Sequence, residues 1–356
     1  MSLSSELKAY ARSIGFHLVG ITSPDPFAAA EVDILRWLAE GHQAEMAWLN
    51  EARTRLATHP EELLPGARSL IVVGVNYRTA EPAAVQHADA PPRARIARYA
   101  WGDDYHDALK TRLKLLQSYL AERSDASRSA QRGADGACPS RVFVDSGPLV
   151  ERDAAVRAGL GFRGKNTNLL TPIGSYVFLG ALLTTVELDF DEPITKDCGT
   201  CTLCLDACPT QALDTPYHLQ AERCIAYLTI EHRGPIAEEL RPLMQDWVFG
   251  CDICQEVCPY NASTKHHPRA WPEFEPRPTP DLPALLALTD EGFQKAFKGS
   301  PVKRAKRRGL SRNAAIALGN SGDAQAIPAL RKAAENDPEP LVSEAAQWAI
   351  RQLQTT

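Results

Sequence analysis

Up to about residue 188 the apolar residues switch repeatedly between two spacings. SSELKAYARSIGF is amphipathic at helical period, and HLVGITS after it reads as a strand. AAEVDILRWLAEGHQAEMAWLNEARTRL reads as helical, and SLIVVGVNY (69–77) is a continuous apolar run of buried-strand type. DALKTRLKLLQSYLAERS predicts a helix, and RVFVDSGP (141–148) and SYVFLGALLTTVEL (175–188) predict further strands. Such alternation predicts an α/β domain, a sheet with helices on its faces. From about 190 it gives way to loops and short helices. STKHHPRAWPEFEPRPTPDLP (263–283), rich in Pro and His, reads as a linker. The tail, SRNAAIALGNSGDAQAIPALRKAAENDPEPLVSEAAQWAIRQL, is helical throughout. Ala314-Ala315 returns as Ala345-Ala346, the period of a HEAT-like helix pair. With so few turns, that repeat must lean on the rest of the chain for its core. The organisation expected is therefore multidomain α+β: 1–188 α/β, 189–275 cysteine-rich, 276–356 helical.

Composition changes this picture little. The 356 residues, 44% hydrophobic and 23% charged, suit two or three globular domains. A net charge of −5 gives no overall attraction to a polyanion, so only a local patch can bind one. No run reaches eighteen apolar residues, so no membrane partner is expected. The opening stretch has neither a signal peptide's apolar core nor a twin arginine, so the expected address is the cytoplasm. There thiols stay reduced, and clustered cysteines read as metal ligands or redox groups.

Nine cysteines are present. CGTCTLCLDACP, at Cys198, Cys201, Cys204 and Cys208, has the C-x2-C-x2-C-x3-C-P spacing of bacterial ferredoxins, in which the fourth cysteine serves the other cluster. CDICQEVCP, at Cys251, Cys254 and Cys258, is the same run without its first cysteine. Crossing the two runs closes the arithmetic. Cys198, Cys201, Cys204 and Cys258 would hold one 4Fe–4S cluster. Cys208, Cys251 and Cys254 would hold a second, with Cys224, the one cysteine left in the region, as its fourth ligand. The Cys-Pro endings and this crossing disfavour a pair of zinc sites. Cys138, in a Ser/Gly/Ala-rich loop, reads as a spare thiol.

Between Lys298 and Arg312 the chain carries seven basic residues and no acid: Lys298, Lys303, Arg304, Lys306, Arg307, Arg308 and Arg312. Lys and Arg at that density suit phosphate contacts, and HEAT-like repeats present extended binding faces. The stretch is expected to bind nucleic acid rather than to be only a solvated helix face.

LLPGARSLIVVGVNY, RYAWGDDYH, VFVDSGPLVERDAAVRAGLGFRGKNTNLL, the two cysteine runs, CIAYLTIEHRG and the basic tail together resemble the epoxyqueuosine reductases over nearly the whole chain. The resemblance implies a monomeric, cobalamin-dependent oxidoreductase of tRNA queuosine biosynthesis. Such an enzyme reduces epoxyqueuosine to queuosine at the wobble position of GUN-anticodon tRNAs, which accept Asp, Asn, His or Tyr. It also implies an N-terminal cobalamin-binding domain, a two-cluster ferredoxin-like domain and a tRNA-binding HEAT-like domain. An external donor such as a flavodoxin or ferredoxin would feed the clusters. The alternatives are a reductive dehalogenase-like enzyme, or an electron-transfer protein with no substrate of its own. Dehalogenases usually carry an export signal and lack the helical tail. DYHDAL has Leu109 where cobalamin mutases have glycine, so His106 is not expected to ligate cobalt and the cofactor is expected base-off.

Asp145, at the end of RVFVD, matches the family's proposed proton donor. Holding a proton at neutral pH requires a raised pKa, which burial against the corrin would supply. The competing reading is that Asp145 only caps the DSGP turn. The cobalamin contacts implied are Arg55, Tyr99, His106, Arg141, Asn166, Asn168, Ala226, Asp252 and Gln255, with Lys165 and Tyr227 nearby.

Overall fold

The computed structural model describes residues 2–79, 92–127, 139–262, 271–278 and 280–355. Cys138 lies outside them. The first half contains α1 (Leu3–Ser13), β1 (Leu18–Thr22), α2 (Ala28–Ala39), α3 (Glu51–Thr58), α4 (Pro60–Leu63) and β2 (Ser69–Asn76). It continues through β3 (Arg95–Ile96), α5 (Tyr105–Ser127), β4 (Ser140–Phe143), α6 (Glu151–Arg157), β5 (Phe162–Arg163), β6 (Leu169–Leu170) and β7 (Val177–Thr184). Four of these strands make the main sheet, in the order β1-β2-β7-β4. Every neighbouring pair in it is antiparallel. An antiparallel sheet often leaves one face wet. Here α1 and α5 cover one face and α6 packs on the other. All eight residues of β2 are therefore buried, which explains a continuous apolar run instead of an alternating one. β1 admits α6 closely: a Cβ on Gly20 would stand 2.2 Å from the Ala158 carbonyl oxygen.

The long helical stretch expected after residue 28 is broken. Gly41 takes φ +79°, a left-handed conformation that ends α2. Asn50 restarts the chain as α3, its Oδ1 accepting the Arg53 amide at 3.0 Å.

The cysteine region holds α7 (Leu203–Asp206), α8 (Ile225–Ile230), β8 (Trp247–Phe249), α9 (Ile253–Glu256) and α10 (Pro259–Ala262). α7 and α9, the corresponding turns of the two cysteine runs, pack against each other. The expected linker at 263–283 is described from residue 271 and is no free tether there. Trp271 and Phe274 are buried and stack on each other at 5.4 Å. Trp271 Nε1 donates to the Gly15 carbonyl at 3.0 Å, and Arg112 lies 3.7 Å over its ring. The segment straps the end of α1 to α5.

The tail continues as α11 (Leu282–Leu286), α12 (Asp290–Ala296), α13 (Lys306–Asn320), α14 (Ile327–Asn336) and α15 (Pro340–Thr355). α13 and α15 meet through the repeated alanines, all buried. At Gly319 an added Cβ would stand 2.9 Å from Ala349 Cα, so only glycine permits that approach. The shared core expected for the tail is present: Leu310, Ala314 and Leu318 belong to one apolar cluster with Ile225, Leu228, Trp247 and Phe249.

Candidate active site and thiol cavities

A cavity of about 650 Å³ opens at one end of the sheet. Five aromatic side chains contribute to its wall: Trp48, Tyr77, Tyr99, Tyr105 and Phe178. Asp145 faces it from just beyond β4. Its φ of +51° is left-handed, a costly backbone state for a residue with a side chain. Its amide donates to both carboxyl oxygens of Glu151, at 3.0 and 2.9 Å, at the start of α6. The carboxylate turns away from its own turn and toward α5. There Oδ2 accepts from the Tyr105 hydroxyl at 2.7 Å and lies 3.3 Å from His106 Nε2. The other ring nitrogen, Nδ1, lies 2.7 Å from Asp104 Oδ1. Tyr105 stacks between Phe178 and His106, at 4.3 and 4.2 Å. The Asp104 amide in turn donates to the Gly299 carbonyl at 2.8 Å, which ties this corner to the tail.

These contacts set the proton's resting place. Burial alone would lower the pKa of His106, but the flanking carboxylates Asp104 and Asp145 raise it to about 9. Partial desolvation at the cavity wall works to raise that of Asp145, although its side chain stays largely exposed, and the contacts with His106 and Tyr105 hold it below the usual carboxylate range. Among the protein groups alone the balance thus favours the proton on His106 and the charge on Asp145; the expected rise depends on burial against the corrin. Asp104 is likewise lowered, mainly by the His106 hydrogen bond. Burial, then the Asp145 charge, push Glu151 up to about 8.

Beside this cavity lie two more. One, of about 230 Å³, is lined by Cys208, Cys224, Cys251 and Cys254. The other, of about 520 Å³, is lined by Cys198, Cys201, Cys204 and Cys258. The eight thiols thus gather in the two crossed sets. Burial raises the pKa values of Cys204, Cys224, Cys251, Cys254 and Cys258, and neighbouring thiols raise them further. Crowded thiols of this kind fit a cationic cluster that draws off their protons. Walls are shared along the row. Arg152 and Asn168 line both the reaction cavity and the nearer thiol cavity, and Asn166 lines both thiol cavities. Asn166 Nδ2 donates to the Cys254 carbonyl at 3.1 Å, and Lys165 Nζ donates to the Gly199 and Cys201 carbonyls at 2.7 and 2.9 Å.

The remaining expected contacts divide. Tyr99 and Asn168 line the reaction cavity, and Ala226 and Gln255 line the nearer thiol cavity. Asp252 is buried, accepts the Arg98 amide at 2.7 Å and has its pKa pushed up to about 6, chiefly by burial. Arg55 points elsewhere: it is exposed and pairs with Glu62 at 2.7 Å. Arg53 lines the cavity instead, donating to the Ser146 and Gly147 carbonyls at 3.3 and 3.4 Å. Arg141 also lies off the cavity, donating to the Leu63 carbonyl at 3.0 Å. Tyr227 is bound at its hydroxyl by the Glu45 amide at 3.0 Å. Sequence reasoning passed over Tyr105 and Asp104, although both stand in RYAWGDDYH. It passed over Arg53 for want of any local signal.

The basic stretch is not one face. Lys298, Lys303, Arg304 and Lys306 are exposed, and Arg308 is half-buried. Arg307 is buried against Asp337, with hydrogen bonds of 2.9 and 3.0 Å. Arg312 is buried and donates to the carbonyls of His232, Gly234 and Leu228. Both are engaged inside the protein, which corrects the expectation that all seven reach a nucleic acid. Arg304 pairs with Glu231 at 2.8 Å, and the Asp145 and Tyr99 charges at the cavity help to raise its pKa.

Residues 58–146 match the family model described as epoxyqueuosine reductase QueG. Residues 197–261, which include all eight gathered cysteines, match a 4Fe-4S double cluster binding domain, and residues 312–336 match a PBS lyase HEAT-like repeat. An epoxyqueuosine reductase of Gloeobacter violaceus is 40% identical over 331 residues, 91% of this chain and 98% of the relative. The Escherichia coli enzyme is 38% identical over 358 residues, 98% of this chain and 89% of the relative. The chain belongs to the epoxyqueuosine reductase family. Among solved structures, an epoxyqueuosine reductase with an epoxyqueuosine-modified tRNA-Tyr stem loop is similar at TM-score 0.89 and 35% identity, over 99% of this chain and 90% of that one. A Bacillus subtilis family member, described with its aspartate catalytic loop swung out of the active site, is similar at TM-score 0.88 and 34% identity, with the same coverage. Membership makes the chain an oxidoreductase, and neither the dehalogenase-like nor the electron-carrier reading is favoured. No helix among the described residues is long and apolar enough to cross a membrane.

Proposed function

We propose that this chain reduces epoxyqueuosine to queuosine at the wobble position of tRNA, with the Asp145–His106 pair protonating the departing oxygen. Base-off cobalamin and two 4Fe–4S clusters would supply the reducing electrons, from an external donor such as a flavodoxin or ferredoxin. Residues 1–188 would hold the cobalamin, with Tyr99, Tyr105, Phe178 and Arg53 around it, and the two crossed cysteine sets within 189–275 would hold the clusters. Residues 276–356 would hold the tRNA through Lys298, Lys303, Arg304, Lys306 and Arg308. A tRNA substrate suits a cytoplasmic address.

The observation that carries this reading is the line Asp104–His106–Asp145 at the cavity wall, a 2.7 Å hydrogen bond followed by a 3.3 Å ion pair. Turning an epoxide into an alkene releases its oxygen as water and consumes two electrons and two protons. His106, charged at neutral pH, holds one proton at Nε2 against Asp145 Oδ2. Asp145 passes it to the oxygen. The second proton reaches Asp145 from solvent, to which its side chain is 63% exposed. Tyr105 orients the carboxylate through its hydroxyl. The aspartate loop described as displaced in the Bacillus subtilis relative supports a loop-borne acid.

The test is incubation of cluster- and cobalamin-loaded protein with epoxyqueuosine-containing tRNA and a reductant, followed by nucleoside analysis. Queuosine should form. Asp145→Asn should bind cobalamin and tRNA nearly normally and turn over about 10²- to 10⁴-fold more slowly. No queuosine from the native protein would overturn the function. Near-normal turnover by the variant would overturn the role of Asp145.

A further inference from the structure

Away from the reaction cavity, three ligating side chains converge where the end of α2 meets the loop leading to Cys224. His42 Nε2 and His218 Nε2 each lie 3.3 Å from one oxygen, Oε2 of Glu40. The three atoms fall within 4.8 Å of one another. The imidazoles meet edge to face, with centroids 4.5 Å apart. Behind each ring stands another carboxylate: Glu222 Oε1 is 3.7 Å from His42 Nδ1, and Asp214 Oδ1 is 3.6 Å from His218 Nδ1. Gln220 Nε2 holds Asp214 in place at 2.7 Å. His218 Nδ1 is buried with no hydrogen-bond partner, aimed at a carboxylate just beyond bonding reach.

We infer that Glu40, His42 and His218 bind a divalent transition-metal ion of the zinc class, with water completing a tetrahedron. Charge-assisted hydrogen bonds settle at about 2.7–2.9 Å, and both histidine contacts to Glu40 are longer. Ligand atoms about 2.0 Å from a tetrahedral centre lie about 3.3 Å apart, which matches both contacts. Two imidazoles and a carboxylate, without thiolate, suit zinc, nickel or copper better than iron–sulfur chemistry. A carboxylate stands 3.6–3.7 Å from each Nδ1, placed to accept its proton once Nε2 ligates a metal, the usual outer support of a metal-bound histidine. The break in the helix at Gly41 makes the site: it turns His42 back so that Glu40 and His42 face the same loop. The ion would pin α2 to the segment entering Cys224, where Trp37 Nε1 already donates to the Leu219 carbonyl at 2.7 Å and the Ala221 amide to the His42 carbonyl at 3.1 Å. This inference does not rest on the proposed function.

The test uses tag-free, cluster-loaded protein equilibrated anaerobically with equimolar zinc(II), then freed of unbound metal. One zinc per chain should remain, and X-ray absorption at the zinc edge should show nitrogen and oxygen at about 2.0 Å and no sulfur. Asp214→Asn should weaken zinc binding about 10- to 100-fold at unchanged iron content, an effect that a purely structural hydrogen bond would not have. The double variant His42→Gln/His218→Gln should retain none. No zinc retained by the native protein, sulfur in the zinc shell, or unchanged retention by the double variant would each overturn the site.

Discussion

Asp145 was legible as a candidate because a strand end presents its side chain to an opening. Its ionisation was not, because the groups that decide it come from α5, about forty residues earlier in the chain. The shifts fix a pH window. His106 is raised from 6.5 to about 9, so its contribution to stability is complete below about 6.5 and is lost as pH rises through about 9. Asp104 and Asp145 are lowered from 3.8, so theirs is present above that value and is lost as pH falls through their depressed values. Glu151, raised to about 8, is neutral at neutral pH and ionises beside Asp145 on the alkaline side. Tyr105, Arg152 and Lys110 complete the surrounding groups. Turnover should therefore fall on an alkaline limb near pH 9, and Glu151→Gln should leave that limb in place. His106→Gln should remove the limb and slow turnover at neutral pH by about 10²-fold. A limb that survives in His106→Gln would assign the proton elsewhere. Arg55 and Arg53 show a second limit at this scale. Two residues along a helix turn a side chain by about 200°, so an error of two in register exchanges the cavity for solvent.

Helix α13 shows what linear charge density hides. Seven cations read as a stripe, but four of them lie on α13, and that helix is buried almost all round. Two of its arginines therefore had to turn inward, and the interior gives each of them partners. Arg312 satisfies three carbonyls of the cysteine region, while its neighbour Asn313 donates to the Thr229 and Val248 carbonyls at 3.0 and 2.9 Å. Arg312→Met should cost about 3 kcal/mol, because it strands buried acceptors, and chemical denaturation would measure it. Gly319→Ala should cost about 1–3 kcal/mol by forcing α13 off α15. Lys306→Ala, at an exposed position, should stay within about 0.5 kcal/mol of the parent. The repeat itself was legible, since paired alanines at a fixed period are a packing signature. The burial of its arginines was not, since that depends on a surface supplied by another part of the chain.

Across the molecule the three cavities stand in a row, and the crossed cysteine spacing anticipated the membership of the two thiol sets. Cys224→Ala should leave about four of eight irons per chain if Cys224 completes the second set; full iron content would show that it does not. Reversing Lys303, Lys306 and Arg308 to Glu should weaken tRNA binding and shrink the slope of log affinity against log salt by about two units, with iron content unchanged. What the sequence could not disclose was the way back: a Pro-rich stretch that looks like a tether carries Trp271 and Phe274 into the first half of the fold. That strap has a consequence for biosynthesis. While the ribosome is still extending the chain, the faces of α1 and α5 lack their cover until residue 274 has left the exit tunnel, and by then both cysteine runs have already emerged. The last piece needed to close the amino-terminal half is thus delivered after all eight thiols, so a nascent chain stalled just short of it would present cluster ligands and bare apolar surface together, a state suited to capture by scaffold and chaperone machinery.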